Sequence, residues 1–392
     1  MKARKIKEDI FWVGAVDWDR RLFDSLIPLP DGTSYNSYLI KGSEKTALID
    51  AVDPKMQETL FKKLENFEKI DYVIGNHGEQ DHSGVIPHIL NKYREAKLIT
   101  SHSGRGIFSD HLHISEDRIV TVKDGETLSL GNKTLEFVYT PWVHWPETMS
   151  TYLREDKILF SCDFFGSHLA TSDIFVSDIA LVYEAAKRYY AEIMMPFRRV
   201  IKKNLERVQN LEIDFIAPSH GPIYDKPSFI VDAYRDWVLS NPKNIVVVPY
   251  ISMHDSTKLM VEYLVNSLAE KEVKVYQFNL ADTDIGKLAI SLVDAATLVL
   301  GTPTVHFGPH PSAFYAAYLT NALRPKLKFA SVIGSYGWGS KVVDQVSNML
   351  SDLKVELIEP VMCKGLPDES DFQALERLAG SIKEKHVLNN IK

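Results

Sequence analysis

Residues 71–84 read DYVIGNHGEQDHSG. The first five have the apolar, β-branched character of a strand. The loop that follows gathers four potential metal ligands, His77, Glu79, Asp81 and His82, within six positions. Ser83 stands where a helix N-cap is expected. Strand-end loops are where a rigid scaffold can hold convergent ligands. On an extended backbone, alternation puts His77, Glu79 and Asp81 on one side and turns His82 towards a neighbouring point, so one loop serves two nearby metals. So dense a cluster has few purely structural uses.

Three further candidates each follow a strand-like segment: His144 in TPWVHWPETM (140–149), Asp163 in LFSCDFFG (159–166) and His220 in IAPSHGPI (216–223). Together they give enough ligands for two metals if one carboxylate is shared. Asp163 is the bridging candidate, because its two oxygens can be divided between metals about 3.5–4 Å apart. Glu79 adds charge and a hard oxygen, which tilts the set from zinc towards iron or manganese. Taken singly, a strand-end His or Asp is more often a hydrogen-bonded structural residue. His88, His102, His111, His113, His168 and His386 are read that way, as surface or satisfied core. Cys162 is read as a small packing residue, and Trp145 and Pro146 as fixing the direction of the His144 loop.

The remainder of the chain fits a soluble two-domain protein. It has 392 residues, 45% apolar and 25% charged, with a formal net charge of −7. That charge argues against nucleic acid or an anionic membrane surface as a main partner. No apolar run approaches the roughly 20 residues a membrane span requires. The N-terminal MKARKIKEDIFWVG lacks the apolar core of a secretory signal. Cys162 and Cys363, the two cysteines, form no disulfide framework, and a reducing cytoplasm is expected.

The pattern changes at SNPKN (240–244), a polar proline turn. This places a first domain at 1–242 and a second at 243–392. In the first, strand runs (YNSYLIKG, KTALID, DYVIGN, AKLITS and the hairpin TLSLGNKTLEFVYTP) alternate with covering helices, and a helical stretch over 178–210 is interrupted at Pro196. That grammar predicts an αβ/βα sandwich. In the second, NIVVVPYI, EVKVYQF, ATLVLGT, LKFASVIG and KVELIEPV are each followed by a helix-like segment. Five βα units predict a doubly wound parallel sheet, whose ligand sits beyond the carboxyl ends of the strands.

Three post-strand loops are unlike plain connectors. Ser252, Met253, His254, Asp255, Ser256 and Thr257 form a hydroxyl-rich turn before a helix, suited to a phosphate; the bland reading is a capped helix start. Thr302, Pro303, Thr304, Val305, His306 and Gly308 offer hydroxyls and backbone to a planar heterocycle. Ser335, Tyr336, Gly337, Trp338 and Gly339 offer an aromatic wall between glycines. An aromatic wall with a phosphate cradle reads as FMN on a flavodoxin-like sheet, and without a GxGxxG a dinucleotide fits less well.

With HGEQDH, TPWVHWPETM, LFSCDFFG, PSHG, GTPTVHFG and GSYGWGS all in place, the chain resembles the flavodiiron proteins over essentially its whole length. The run H-x-H-x-D-H is the zinc signature of metallo-β-lactamase-like hydrolases, and H-x-E-x-D-H is the form this family carries. The resemblance implies a metallo-β-lactamase-like domain followed by a flavodoxin-like domain. It also implies one iron on His77, Glu79 and His144, a second on Asp81, His82 and His220, and Asp163 between them. The counterpart of His82 stays off the metal in some members. The family's phosphate loop usually has Gly where this chain has Asp255, and an Asn is common where His306 stands.

The implied activity is reduction of dioxygen to water or of nitric oxide to nitrous oxide at a di-iron centre fed by FMN. Electron counting supports the pairing: dioxygen needs four electrons, and two ferrous ions with one reduced flavin hold four. The donor would be separate, a rubredoxin, a flavin reductase or a reduced deazaflavin. A head-to-tail homodimer, alone or as a dimer of dimers, would bring each flavin to the partner's irons. One rival is a zinc hydrolase with an appended electron-transfer domain, which zinc-loaded protein with esterase or lactamase activity would reveal. The other is a binding or electron-transfer protein with a degenerate metal site.

Overall fold

Alternating apolar residues in the first strands point into two different cores. Ile40, Ile49, Ile74 and Ile99 enter one buried cluster, and their neighbours Leu39, Leu48, Val73 and Leu98 enter another. A strand that is apolar on both faces must be covered on both faces. The computed structural model describes residues 1–392, which divide into two compact units: Met1–Tyr190 with Phe197–Val238, and Ala191–Pro196 with Leu239–Lys392.

In the first unit, a seven-stranded sheet runs Arg4–Lys7, Ile10–Trp12, Tyr38–Lys41, Thr46–Ile49, Tyr72–Gly75, Lys97–Ser101, Ile119–Val122. The last four strands are parallel. A five-stranded sheet runs Thr127–Ser129, Thr134–Tyr139, Met149–Leu153, Ile158–Cys162, Phe215–Pro218. Phe137, Met149, Ile158 and Phe160 of the second sheet share a core with Ile40, Ile49 and Ile74 of the first. On the first sheet's other face, Leu60, Ile86, Ile89 and Phe108 come from helical segments. The layers are those of an αβ/βα sandwich.

The 178–210 stretch is helical in two pieces, Ile179–Tyr189 and Arg198–Val208. Between them the chain is wound as a π-turn and a 3-10 turn containing Pro196, as the missing proline N–H requires.

The second unit has one parallel sheet in the order Lys274–Asn279, Lys243–Tyr250, Ala295–Val305, Phe329–Tyr336, with the fifth strand at the far edge. That is the flavodoxin-like order 2-1-3-4-5. The fifth strand is not continuous as expected: Glu356–Leu357 and Val361–Lys364 pair separately with Phe329–Tyr336. Pro360 lies in the break, where the ring removes a ladder donor. No helix is long and apolar enough to cross a membrane.

Candidate functional site

The ligand loop leaves the strand Tyr72–Gly75 and is anchored at once by Asn76. The Asn76 backbone N–H donates to Asp50 Oδ1 at 2.8 Å, and its side-chain amide donates to Asp50 Oδ2 at 2.9 Å. Thr151 Oγ1 donates to Asn76 Oδ1 at 2.7 Å, and the Met149 N–H donates to Asn76 O at 3.0 Å, tying the second sheet to the same point. Beyond Asn76 the backbone does not stay extended. Gln80–Ser83 form a single helical turn, so Asp81 rotates away from His77 and Glu79 and joins His82. Ser83 is not an N-cap: it closes this turn, and its hydroxyl donates to the carbonyls of Gly78 and Glu79.

The seven predicted ligands converge in two groups, His77, Glu79, His144 and Asp163, and Asp81, His82 and His220. In the first, Glu79 Oε2 lies 3.1 Å from His77 Nε2 and 3.0 Å from His144 Nε2. In the second, His82 Nε2 is 3.3 Å from Asp81 Oδ1, and His220 Nε2 is 3.2 Å from Asp81 Oδ2. Asp163 divides its oxygens between them. Oδ2 is 3.5 Å from His77 Nε2 and 3.4 Å from His144 Nε2, while Oδ1 is 2.9 Å from His82 Nε2 and 3.5 Å from His220 Nε2.

Both Asp81 oxygens, both His82 nitrogens and Asp163 Oδ1 are buried without a hydrogen-bond partner. Of these, His82 Nε2 lies close to Asp81 Oδ1 and Asp163 Oδ1 without making a hydrogen bond to either. Metal–ligand bonds of about 2.0–2.2 Å set neighbouring donor atoms about 3.0–3.5 Å apart, which is the spacing found here. Orphaned polar atoms in this arrangement fit two cations. Burial would keep these groups neutral, yet mutual charge overrides it. Burial opposes the His82 imidazolium, but Asp163 and Asp81 raise it to about 9. Burial also opposes His144, and Asp163 and Glu79 raise it to about 9. The Asp163 carboxyl, pushed up by burial, is held well below its usual range by His82, His144 and His77.

His220 follows the strand Phe215–Pro218 and is fixed by its surroundings. Its Nδ1 donates to Ser34 O at 2.7 Å, and the Gly221 N–H donates to Ser34 Oγ at 2.8 Å. Gly221 has φ +81°, and a Cβ there would lie 2.0 Å from Ser167 Oγ, so the turn that aims His220 requires glycine. Exposure is one-sided: His144 and Glu79 keep 17% and 14% of their side chains open, against 4% or less for the second group. The exposed edge of the centre is therefore at His144 and Glu79.

Several participants were missed by the sequence reading. Glu147 Oε1 accepts from His77 Nδ1 at 2.7 Å; it stands three residues beyond His144 in a segment already singled out, which was the available signal. His168, read as an ordinary histidine, is buried with its ring 4.6 Å from that of His220 and its Nε2 unpartnered. Thr33 Oγ1 lies 2.9 Å from His168 Nδ1. Cys162 is buried and groups with His82 and Asp163.

The three loops of the second unit leave adjacent strands, Lys243–Tyr250, Ala295–Val305 and Phe329–Tyr336. Asp255 takes the left-handed conformation (φ 63°) before the helix Ser256–Glu270 and makes no capping bond. Its neighbours Met253 and His254 are exposed, Ser252 and Ser256 partly so. The buried Thr257 hydroxyl lies 3.4 Å from Ser335 Oγ. Thr302 is not an open hydroxyl: it is buried, donates to Pro303 O and accepts from the His310 N–H. Thr304 donates to Ser340 Oγ at 2.9 Å. Val305 pairs with Gly308 across a two-residue turn, His306–Phe307, with both φ positive. Trp338, between Gly337 and Gly339, is 88% exposed, and Tyr336 is partly buried beside it.

Residues 33–221 match the ODP family beta lactamase model and 248–377 the flavodoxin model. The chain is 36% identical to the nitric oxide reductase of Moorella thermoacetica, covering 96% of this chain and 97% of that one. It is 32% identical to the coenzyme F420H(2) oxidase of Methanothermobacter marburgensis, covering 97% and 99%. The rubredoxin oxygen:oxidoreductase structure from Desulfovibrio gigas superposes with a TM-score of 0.94 at 30% identity, covering 98% of each chain.

This chain belongs to the flavodiiron protein family.

The flavodiiron protein of Giardia intestinalis superposes likewise, with a TM-score of 0.91 at 26% identity over 99% of this chain and 97% of that one. The fold is therefore the family's: a metallo-β-lactamase-like sandwich followed by a flavodoxin-like sheet.

Proposed function

We propose that this flavodiiron protein is an oxidoreductase reducing dioxygen to water, nitric oxide to nitrous oxide, or both. The observation that carries the reading is the divided Asp163 carboxylate, one oxygen towards each ligand group. His77, Glu79 and His144 would hold one iron, Asp81, His82 and His220 the other, and Asp163 both. The three loops at Ser252–Thr257, Thr302–Gly308 and Ser335–Gly339 would hold FMN. When bound, these groups supply the reducing electrons and the Lewis acidity.

The chain's own part is to hold and enclose. Its carboxylates give the centre a hard-oxygen character that suits iron. The open side at His144 and Glu79 admits a diatomic gas, while the buried Asp81, His82 and His220 keep bulk water from the far side. A zinc hydrolase has less support, since the relatives above that carry an activity in their names are oxidoreductases.

The functional domains are taken as 1–242 and 243–392, in a cytoplasmic homodimer or dimer of dimers with head-to-tail pairing. A rubredoxin and a reduced deazaflavin are both candidate donors, as the names of two relatives suggest; a flavin reductase is the third. The test is anaerobic reduction followed by parallel measurement of dioxygen and nitric oxide consumption, with iron, zinc and flavin assayed on the same sample. Consumption of either gas by iron- and flavin-loaded protein is expected. Zinc-loaded protein that hydrolyses esters and consumes neither gas overturns the reading. A monomer with full turnover overturns the dimer.

A further inference from the structure

We infer that Glu147 is a positioning residue for the centre. It fixes the His77 ring so that Nδ1 carries the proton and Nε2 is left to a metal. The inference rests on the metal reading above and goes beyond it, to the residue that sets the strength of the first group.

The side chains of Glu147 and His77 are both fully enclosed. Glu147 Oε1 receives two donors from successive residues of the ligand loop, His77 Nδ1 at 2.7 Å and the Gly78 N–H at 3.0 Å. One oxygen thus grips both the ring and the backbone next to it. The Glu147 main chain is held in turn, its carbonyl accepting from Ser101 Oγ at 2.7 Å, and that hydroxyl accepting from the Gly104 N–H at 3.0 Å. Trp145 closes one side of the ring, edge-on with centroids 4.9 Å apart. His77 is thus held at Nδ1 by hydrogen bond and along one side by ring contact.

The histidines of the centre differ in their anchors. His77 is held at Nδ1 by a carboxylate, His220 by the neutral carbonyl of Ser34, and His82 Nδ1 by nothing. Both bonds are 2.7 Å long, but a charged acceptor makes the stronger one and raises the donor power of the opposite nitrogen. The carboxylate anchor serves the group that is open to solvent through His144 and Glu79. There a ligand that could turn would let the metal escape.

The test uses the full chain loaded anaerobically with ferrous iron and dialysed against a graded chelator, with retained iron counted. The wild type is expected to hold two irons. Glu147→Ala should lose one of them at a chelator level about 10–100-fold lower, the usual effect of removing such a partner. Glu147→Gln keeps an oxygen for Gly78 but not the charge, and should fall between. In zinc-loaded protein with 15N-labelled histidine, His77 should show a protonated, strongly hydrogen-bonded Nδ1, a signature lost in Glu147→Ala. Wild-type retention in both variants, or a His77 bound with Nε2 protonated, overturns the inference. If Glu147→Ala does not fold, Glu147→Gln decides: weaker retention supports it and unchanged retention overturns it. A wild-type chain that binds no iron overturns the metal reading itself, which is a separate result.

Discussion

His386 and His220 are each 1% exposed, and they differ in where their nitrogens go. His220 gives Nδ1 to Ser34 and turns Nε2 to Asp81 and Asp163. His386, on the C-terminal helix Glu369–Leu388, meets Asn244 Oδ1 at 2.8 Å and the Thr297 hydroxyl at 2.7 Å, so both nitrogens are occupied within the fold. Burial, with the charge of Lys383, lowers its pKa from 6.5 to about 4. The unfolded chain therefore takes up this proton at higher pH than the native one. The stability due to neutral His386 is full above pH 6.5, declines as pH falls and is gone below about 4. Allowing for screening, it amounts to about 2 kcal/mol. In urea titrations between pH 6.5 and 4, His386→Gln should lose less of the second unit's stability than the wild type does. Parallel pH dependences in the two proteins would contradict this. Sequence reading had His386 as an ordinary histidine and the structure agrees. His168 received the same reading, yet it packs on His220 with one nitrogen orphaned. A lone histidine in sequence carries nothing to separate these cases, because its partners lie more than 80 positions away.

The turn before the helix Ser256–Glu270 was legible as a turn, and its backbone came from the structure. Asp255 adopts the left-handed backbone, which costs a residue with a side chain about 1–2 kcal/mol. Glycine would relieve that and lose about 0.5–1 kcal/mol through its freer unfolded chain. Asp255→Gly should therefore change the unit's stability by only about 0.5 kcal/mol. It also removes a carboxylate from a helix N-terminus suited to an anion, so FMN should bind several-fold tighter. Comparison of FMN dissociation constants checks this, and an unchanged or weaker constant would show that Asp255 points away from the phosphate. Strands such as NIVVVPYI and ATLVLGT were readable because burial on both faces demands continuous apolar runs. The turn at Gln80–Ser83 was not, because Ser83 was equally suited to start the next helix. The fifth strand read as one run, although Pro360 already marked its break.

At the scale of the molecule, the seven candidate ligands come from four separated segments, all on the first unit. That these seven side chains converge agrees with the dense 77–82 run and the three strand-end motifs. How they divide was not legible from alternation, since a single helical turn moves Asp81 into the second group; the family resemblance gave that division. The anchors Asn76, Ser34 and Glu147 escaped notice because a hydrogen-bonding neighbour has no spacing rule. The three loops proposed for FMN all belong to the second unit, so iron and FMN bound as proposed should stabilise different parts of the chain. A ligand at a thousand times its dissociation constant adds about 4 kcal/mol to the state that binds it. For a unit of some 230 residues that is a rise of roughly 8–16 °C. Calorimetry of the full chain under anaerobic conditions should show ferrous iron moving the first unit's transition by this amount and leaving the second in place, with FMN doing the reverse. Iron that shifted only the flavodoxin-like transition would mean that the orphaned oxygens of Asp81 and Asp163 are not where the metal binds.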